Sequence, residues 1–227
     1  MSKLKINELE QIIAPAFTWS YLNWVDFYDY NYNWSWNLYN CDSIDGDSGN
    51  NTLNGTSYSD FIFGYGGNDT IKGYGGNDYI DGGSGTDKIY GDNGNDFISA
   101  GSGNDTVYGG NGNDFIKGDI GNDYLKGDAG NDYISAGSGN DILKGSAGND
   151  FLDGGSGNDT YVYYKGDGND VISDISGSDK IVFSDLKSTD VIFSRNYNTI
   201  ELKDGSGSIE ISGRIESFEF TDKVINR

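Results

Sequence analysis

From Gly46 to Val162 the apolar and polar positions repeat every nine residues, thirteen times without an insertion, as in Gly73-Tyr74-Gly75-Gly76-Asn77-Asp78-Tyr79-Ile80-Asp81. The eighth position is apolar or aromatic in each of twelve consecutive repeats: Ile62, Ile71, Ile80, Ile89, Ile98, Val107, Ile116, Leu125, Ile134, Leu143, Leu152 and Tyr161. The last three positions predict a very short strand, with the eighth side chain inward and the seventh and ninth outward. Glycines at the first and fourth positions, such as Gly64 and Gly67 or Gly109 and Gly112, predict a turn over the first six, because glycine enters backbone angles that other residues resist. One repeat cannot bury its apolar residue alone, whereas stacked neighbours can, so the period predicts a solenoid. Two repeats make one coil with two strands and two turns. Thirteen make six and a half coils, a rod roughly 30 Å long at a strand spacing of about 4.8 Å.

The pattern changes at both ends. Lys3 to Ile13 predicts a short helix with Leu9, Ile12 and Ile13 near one face, limited by Pro15. Between Tyr28 and Leu38 the period is two, with Tyr28, Tyr30, Tyr32, Trp34, Trp36 and Leu38 on one side and polar residues on the other. That strand reads first as a cap over the open coil, then as a self-association strand, then as a sugar-stacking platform. After Val162 the register slips by two residues. Short alternating runs at 191–193, 199–203, 208–212 and 217–221 then predict a small antiparallel meander plugging the last coil. The organisation is therefore 1–45, an N-terminal helix and aromatic strand cap; 46–162, the repeat region; and 163–227, a C-terminal antiparallel β cap.

The outward seventh positions add a second signal. In alternate repeats they read Phe61, Tyr79, Phe97, Phe115, Tyr133 and Phe151, an aromatic ladder along one sheet; the opposite sheet reads Thr70, Lys88, Thr106, Tyr124, Ile142 and Thr160. A one-sided aromatic stripe points to a contact surface. The interruptions at Lys88, Tyr124 and Ile142 argue against a flat, ice-ordering threonine face.

The sixth position carries the chemistry. It is aspartate in twelve consecutive repeats: Asp60, Asp69, Asp78, Asp87, Asp96, Asp105, Asp114, Asp123, Asp132, Asp141, Asp150 and Asp159. With its glycines, the phrase resembles the GGxGxDxUx nonapeptide of the repeats-in-toxin (RTX) family. The resemblance covers about half the chain and implies an all-β fold, a right-handed parallel β-roll filled with calcium. It also implies that each Ca2+ lies between neighbouring turns on one edge, held by backbone carbonyls and by sixth-position carboxylates eighteen residues apart, from Asp60 with Asp78 to Asp141 with Asp159. Several oxygen ligands in forgiving geometry suit Ca2+. The competing reading, aspartates as turn formers, leaves carboxylates stacked about 5 Å apart, at a cost of about 1 kcal/mol per pair even in water. Asn51 replaces the first aspartate and Tyr58 a fourth-position glycine, which weakens the sites at that end. Tyr65, Tyr74, Asp92, Asp119, Asp128 and Ser146 replace second-position glycines. About ten ions are expected in all. The run Lys165 to Phe183 resembles the segment that closes such repeats, with Asp170 and Asp179 extending the calcium file.

Composition sharpens this picture. The 227 residues include 36 acidic and 15 basic side chains, a formal charge of −21, with 35% hydrophobic residues. So acidic a chain should not collapse unaided, and the repeats are expected to be disordered without calcium. The acidic balance argues against nucleic acid as a partner, since nothing resembles the basic footprint that such binding needs. Cys41 is the only cysteine, so no internal disulfide forms. No segment has the apolar length of a membrane span, and Met1 to Glu10 lack the apolar core of a signal peptide. The resemblance implies export by type I machinery that reads an uncleaved C-terminal signal, and folding in extracellular calcium. There is no histidine, no G-x-S-x-G and no phosphate-binding loop, which argues against an enzyme. The expected function is a secreted, cell-surface or matrix protein that is structural or adhesive and assembles into a homo-oligomer or filament. The alternative is a module binding extracellular polysaccharide through its aromatic faces.

Overall fold

A computed structural model describes residues 42–196 and 198–227. The helix expected over Lys3–Ile13, the aromatic strand over Tyr28–Leu38 and Cys41 lie outside them. Within the described residues the regular elements are strands, arranged in two sheets. The first sheet contains β1 (Ser43–Asp45), β3 (Phe61–Phe63), β5 (Tyr79–Asp81), β7 (Phe97–Ser102), β9 (Phe115–Ile120), β11 (Tyr133–Ser138), β13 (Phe151–Asp153), β15 (Asn169–Asp174) and β19 (Ser208–Gly213), in that spatial order and all parallel. The second contains β2 (Thr52–Asn54), β4 (Thr70–Lys72), β6 (Lys88–Asn93), β8 (Thr106–Asn111), β10 (Tyr124–Ala129), β12 (Ile142–Ala147), β14 (Thr160–Tyr163), β16 (Lys180–Phe183) and β20 (Ser217–Glu219), also parallel. The chain alternates between the sheets, so stacked parallel coils form a β-solenoid of the β-roll kind. Register is eighteen residues per coil, Phe97 beside Phe115 and Tyr124 beside Ile142. It becomes twenty across the two-residue slip, Phe151 beside Val171 and Thr160 beside Lys180.

The eighth-position residues form the core. From Ile62 to Leu143 each is fully buried, one per strand and alternating between the two sheets. A thin core of this kind is continuous along the roll but only one side chain deep from each sheet.

Three details differ from the expected pattern. First, β6 to β12 are six residues long rather than three. Parallel stacking continues through the first half of the next turn, where Asp92 still faces Gly110 and Asn93 faces Asn111. Second, the positive-φ positions are the second and fourth, not the first and fourth. All six non-glycine residues with positive φ are second-position replacements: Tyr65, Tyr74, Asp92, Asp119, Asp128 and Ser146. First-position glycines are small for lack of room. A Cβ on Gly118 would lie 2.6 Å from both Asp123 Oδ2 and the Ala136 carbonyl oxygen. Alanine is accommodated there at Ala100 and Ala136, both fully buried. Third, the C-terminal segment is no simple plug. Strands β19 and β20 add one more parallel coil, and antiparallel strands are appended to each sheet: β18 (Thr199–Leu202) and β17 (Val191–Phe193) beyond β19, and β21 (Val224–Asn226) beyond β20.

The aromatic ladder forms as expected. Tyr79, Phe97, Phe115, Tyr133 and Phe151 stack with centroids 5.2, 5.0, 4.8 and 4.9 Å apart, close to the strand spacing. It is not a fully exposed stripe: Phe61, Tyr79 and Phe115 are 7–8% exposed and Phe97, Tyr133 and Phe151 are half-buried.

Candidate metal centre

Each sixth-position aspartate stands immediately before a strand, and alternate repeats feed alternate sheets. The twelve therefore fall into two files, one along each edge of the roll. Asp60, Asp78, Asp96, Asp114, Asp132 and Asp150 precede strands of the first sheet; Asp69, Asp87, Asp105, Asp123, Asp141 and Asp159 precede strands of the second. All are at most 2% exposed.

A repeated hydrogen bond orders each file. The backbone N–H of one aspartate donates to Oδ1 of the aspartate one coil ahead: Asp60 to Asp78 at 2.8 Å, Asp87 to Asp105 at 2.7 Å, Asp114 to Asp132 at 2.8 Å, Asp141 to Asp159 at 2.8 Å. The fifth position runs the other way, with the N–H of Asn95 donating to Oδ1 of Asn77 and that of Asn113 to Oδ1 of Asn95. The pairs eighteen apart are thus in direct contact.

The second oxygen is different. Oδ2 of Asp69, Asp78, Asp87, Asp96, Asp105, Asp114, Asp123, Asp132, Asp141, Asp150 and Asp159 is buried and accepts no hydrogen bond. Asp60 stands apart: its Oδ2 accepts from the Thr56 N–H at 2.6 Å and the Thr56 hydroxyl at 2.9 Å. Asn51 closes its turn similarly, its Oδ1 accepting from the Asp47 N–H at 2.8 Å. The first two turns therefore satisfy the sixth side chain from within the chain.

Burial raises the carboxyl pKa along both files: to about 8 at Asp78, about 7 at Asp96, about 9 at Asp114 and about 8 at Asp132 on one edge, and to about 6 at Asp87 and about 7 at Asp123 and Asp159 on the other. Neighbouring carboxylates add to this, Asp96 acting on Asp78, and Asp96 and Asp132 on Asp114. The five ion pairs among the described residues involve none of the twelve. An isolated buried carboxylate is costly, so each file calls for protons or for cations. The oxygens crowding these turns are hard donors, carboxylate Oδ2 with backbone carbonyls such as that of Ala136, and the described residues include no histidine or cysteine. That set fits Ca2+.

The files extend past the slip. The Asp150 N–H donates to Asp170 Oδ1 at 3.1 Å and the Asp159 N–H to Asp179 Oδ1 at 2.9 Å. At the last coil the Asp179 N–H donates to Glu216 Oε2 at 2.7 Å. Sequence reasoning missed Glu216, because a 37-residue separation has no place in a nine-residue period. It also missed Asp174, whose signal was an aspartate at a first position otherwise held mainly by glycine.

A family model for the RTX calcium-binding nonapeptide repeat matches the chain in four copies, at residues 45–80, 54–89, 90–125 and 126–161. No curated protein matches the chain.

Proposed function

Because the chain belongs to the RTX calcium-binding nonapeptide repeat family, we propose that it is an extracellular structural or adhesive protein whose roll folds on calcium, with Asp69 to Asp159 in steps of nine as side-chain ligands. The observation that carries this reading is the row of buried Oδ2 atoms without donors. Calcium would supply the missing partner at each, and binding energy would then be folding energy. Extracellular calcium is high enough to fill weak sites, whereas cytosolic calcium is not. Asp60, whose oxygens have protein donors, is left out of the ligand set, and about ten ions remain the expected load. Assembly into a homo-oligomer or filament is supported by the end strands. In β17 and β21, last in their sheets, Ile192 is 50% and Val224 56% exposed, and sheet edges recruit further strands. Nothing in the ladder chemistry calls for an enzyme.

The test is a calcium titration of the full chain followed together by circular dichroism and light scattering. β-Structure rising with calcium, with scattering rising in step and lost in Ile192→Asp, supports the whole reading. A chain fully folded in chelator at neutral pH sinks the calcium-folding part, and a folded monomer at high concentration sinks the assembly part.

One observation favours the second reading, a polysaccharide-binding module. The outer face of the second sheet collects Lys72, Lys88, Tyr90, Tyr108 and Lys144 on an otherwise acidic chain. Tyr90 and Tyr108 stack 5.2 Å apart, the ammonium groups of Lys72 and Lys88 lie 5.7 and 5.3 Å from the Tyr90 ring centre, and Lys144 lies 3.9 Å over Tyr164. Tyrosine platforms flanked by cations suit an anionic sugar chain. Retardation in gels containing an anionic polysaccharide, lost in Lys88→Glu with β-structure intact, would favour this reading over assembly.

A further inference from the structure

Two departures from the repeat meet at the C-terminal end of the roll. Asp174 stands at the first position of the run Asp174-Ile175-Ser176-Gly177-Ser178-Asp179, where the other turns hold glycine or alanine with few exceptions. Tyr161 stands at an eighth position, where the preceding repeats hold aliphatic residues. The Tyr161 hydroxyl donates to Asp174 Oδ2 at 2.6 Å and accepts from the Gly154 N–H at 2.9 Å. Asp174 Oδ1 accepts from the Ser176 N–H at 3.2 Å. Asp174 is thus held from both sides and is 3% exposed.

Beside Gly154 its carboxylate lies closer than any backbone oxygen. In an ordinary turn the space beside a first-position glycine is bounded by an aspartate Oδ2 and by the first-position carbonyl of the next coil, as at Gly118 with Asp123 and Ala136. A Cβ placed on Gly154 would lie 2.6 Å from Asp159 Oδ2 and 2.9 Å from Asp174 Oδ2, with the Tyr161 hydroxyl as a third wall. Ligand atoms of Asp159, Asp174 and Asp179 lie within 4.8 Å of one another. Asp159 Oδ2 is buried and without a donor. The site therefore carries one more carboxyl group than the ladder sites, and the three residues are only 1–3% exposed.

We propose that Asp159, Asp174 and Asp179 form a three-carboxylate calcium site at the C-terminal end of the roll, stronger than the two-carboxylate sites of the ladder, with Tyr161 as its positioning residue. It rests on the reading that the ladder aspartates bind calcium. Added ligand charge and a rigid site tighten calcium binding, so one ion should bind about tenfold or more tighter than the average of the others. It fastens β16, which follows Asp179, to β14, which follows Asp159, where the register changes from eighteen to twenty.

Equilibrium dialysis of the full chain against buffered free calcium tests this, with wild type, Asp174→Gly and Asp174→Asn compared. Asp174→Gly restores the residue that the repeat itself uses. The expected result is one tight ion in wild type whose affinity falls to the ladder value in both variants, the remaining ions being unchanged. Should Asp174→Gly fail to fold in saturating calcium, Asp174→Asn, which keeps the shape, decides alone. Tyr161→Phe should weaken the same ion by a smaller factor and leave the rest. The proposal is overturned if the tightest ion binds wild type and variants alike. If wild type binds no calcium, it is the ladder reading itself that falls.

Discussion

At the residue scale, the repeat positions carry different duties, and the costs are visible where a residue fits only one of them. From Tyr65 to Gly155 the second position has positive φ, which costs a non-glycine residue about 1–2 kcal/mol. Ser146 has φ of 78° and a buried hydroxyl without a partner. Ser146→Gly should raise stability in saturating calcium by about 1 kcal/mol, after allowing for the extra chain entropy of glycine. Thermal melts at fixed free calcium would register this, and a lower melting temperature would contradict the strain argument. Asp128 is a poorer choice for the same change, since its carboxylate pairs with Lys126.

At the element scale, a single strand contributes one fully buried side chain, so stability is nearly a sum over coils and their interfaces. Ile116 of β9 is fully buried between Ile98 and Ile134 in the same sheet. Ile116→Ala should cost about 2–5 kcal/mol and raise the calcium concentration needed for half-folding. Circular dichroism at several calcium levels would measure the shift. A loss confined to the neighbouring coils, seen by hydrogen exchange, would show that the roll opens locally. The stacked rings from Tyr79 to Phe151 work in the same sense, each tying its strand to the next. The files of Asp and Asn hydrogen bonds run in opposite directions along the edges and lock the eighteen-residue register that the core alone would leave to β pairing.

At the scale of the whole molecule, a charge of −21 and two files of buried carboxylates make folding depend on what neutralises them. In the absence of calcium the neutraliser is the proton. Folded-state values of about 7 to 9 at Asp96, Asp78 and Asp114 lie above the ordinary 3.8, so the folded roll binds protons that the unfolded chain does not. The stability these groups contribute is complete below about pH 4 and is lost as pH rises through their folded values. In chelator, lowering pH from 8 to 5 should therefore increase β-structure. In calcium the same change should weaken ion binding, because protons compete for the same oxygens. Circular dichroism in chelator and dialysis in calcium would test the two halves separately; β-structure that falls on acidification in chelator would refute the first.

Much of this was legible in the sequence, because a nine-residue period confines each side chain to one environment and repeats that environment coil after coil. The apolar positions, the eighteen-residue coil and the aromatic ladder follow from periodicity, and the family resemblance implied the pairing of aspartates eighteen apart. Local composition even marked the six second-position replacements, although not that they sit at positive φ. What tertiary structure alone decided lies where the period fails or where two coils meet. Whether a first-position glycine serves backbone freedom or space depends on the oxygen facing it from its own turn and the next coil. The donors that occupy Asp60, the extra coil of β19 and β20, and the approach of Asp174, Tyr161 and Glu216 to the aspartate files depend on contacts between residues outside the eighteen-residue register. Periodicity specifies neighbours along the stack; it is silent about neighbours that arrive by insertion or from a different part of the chain.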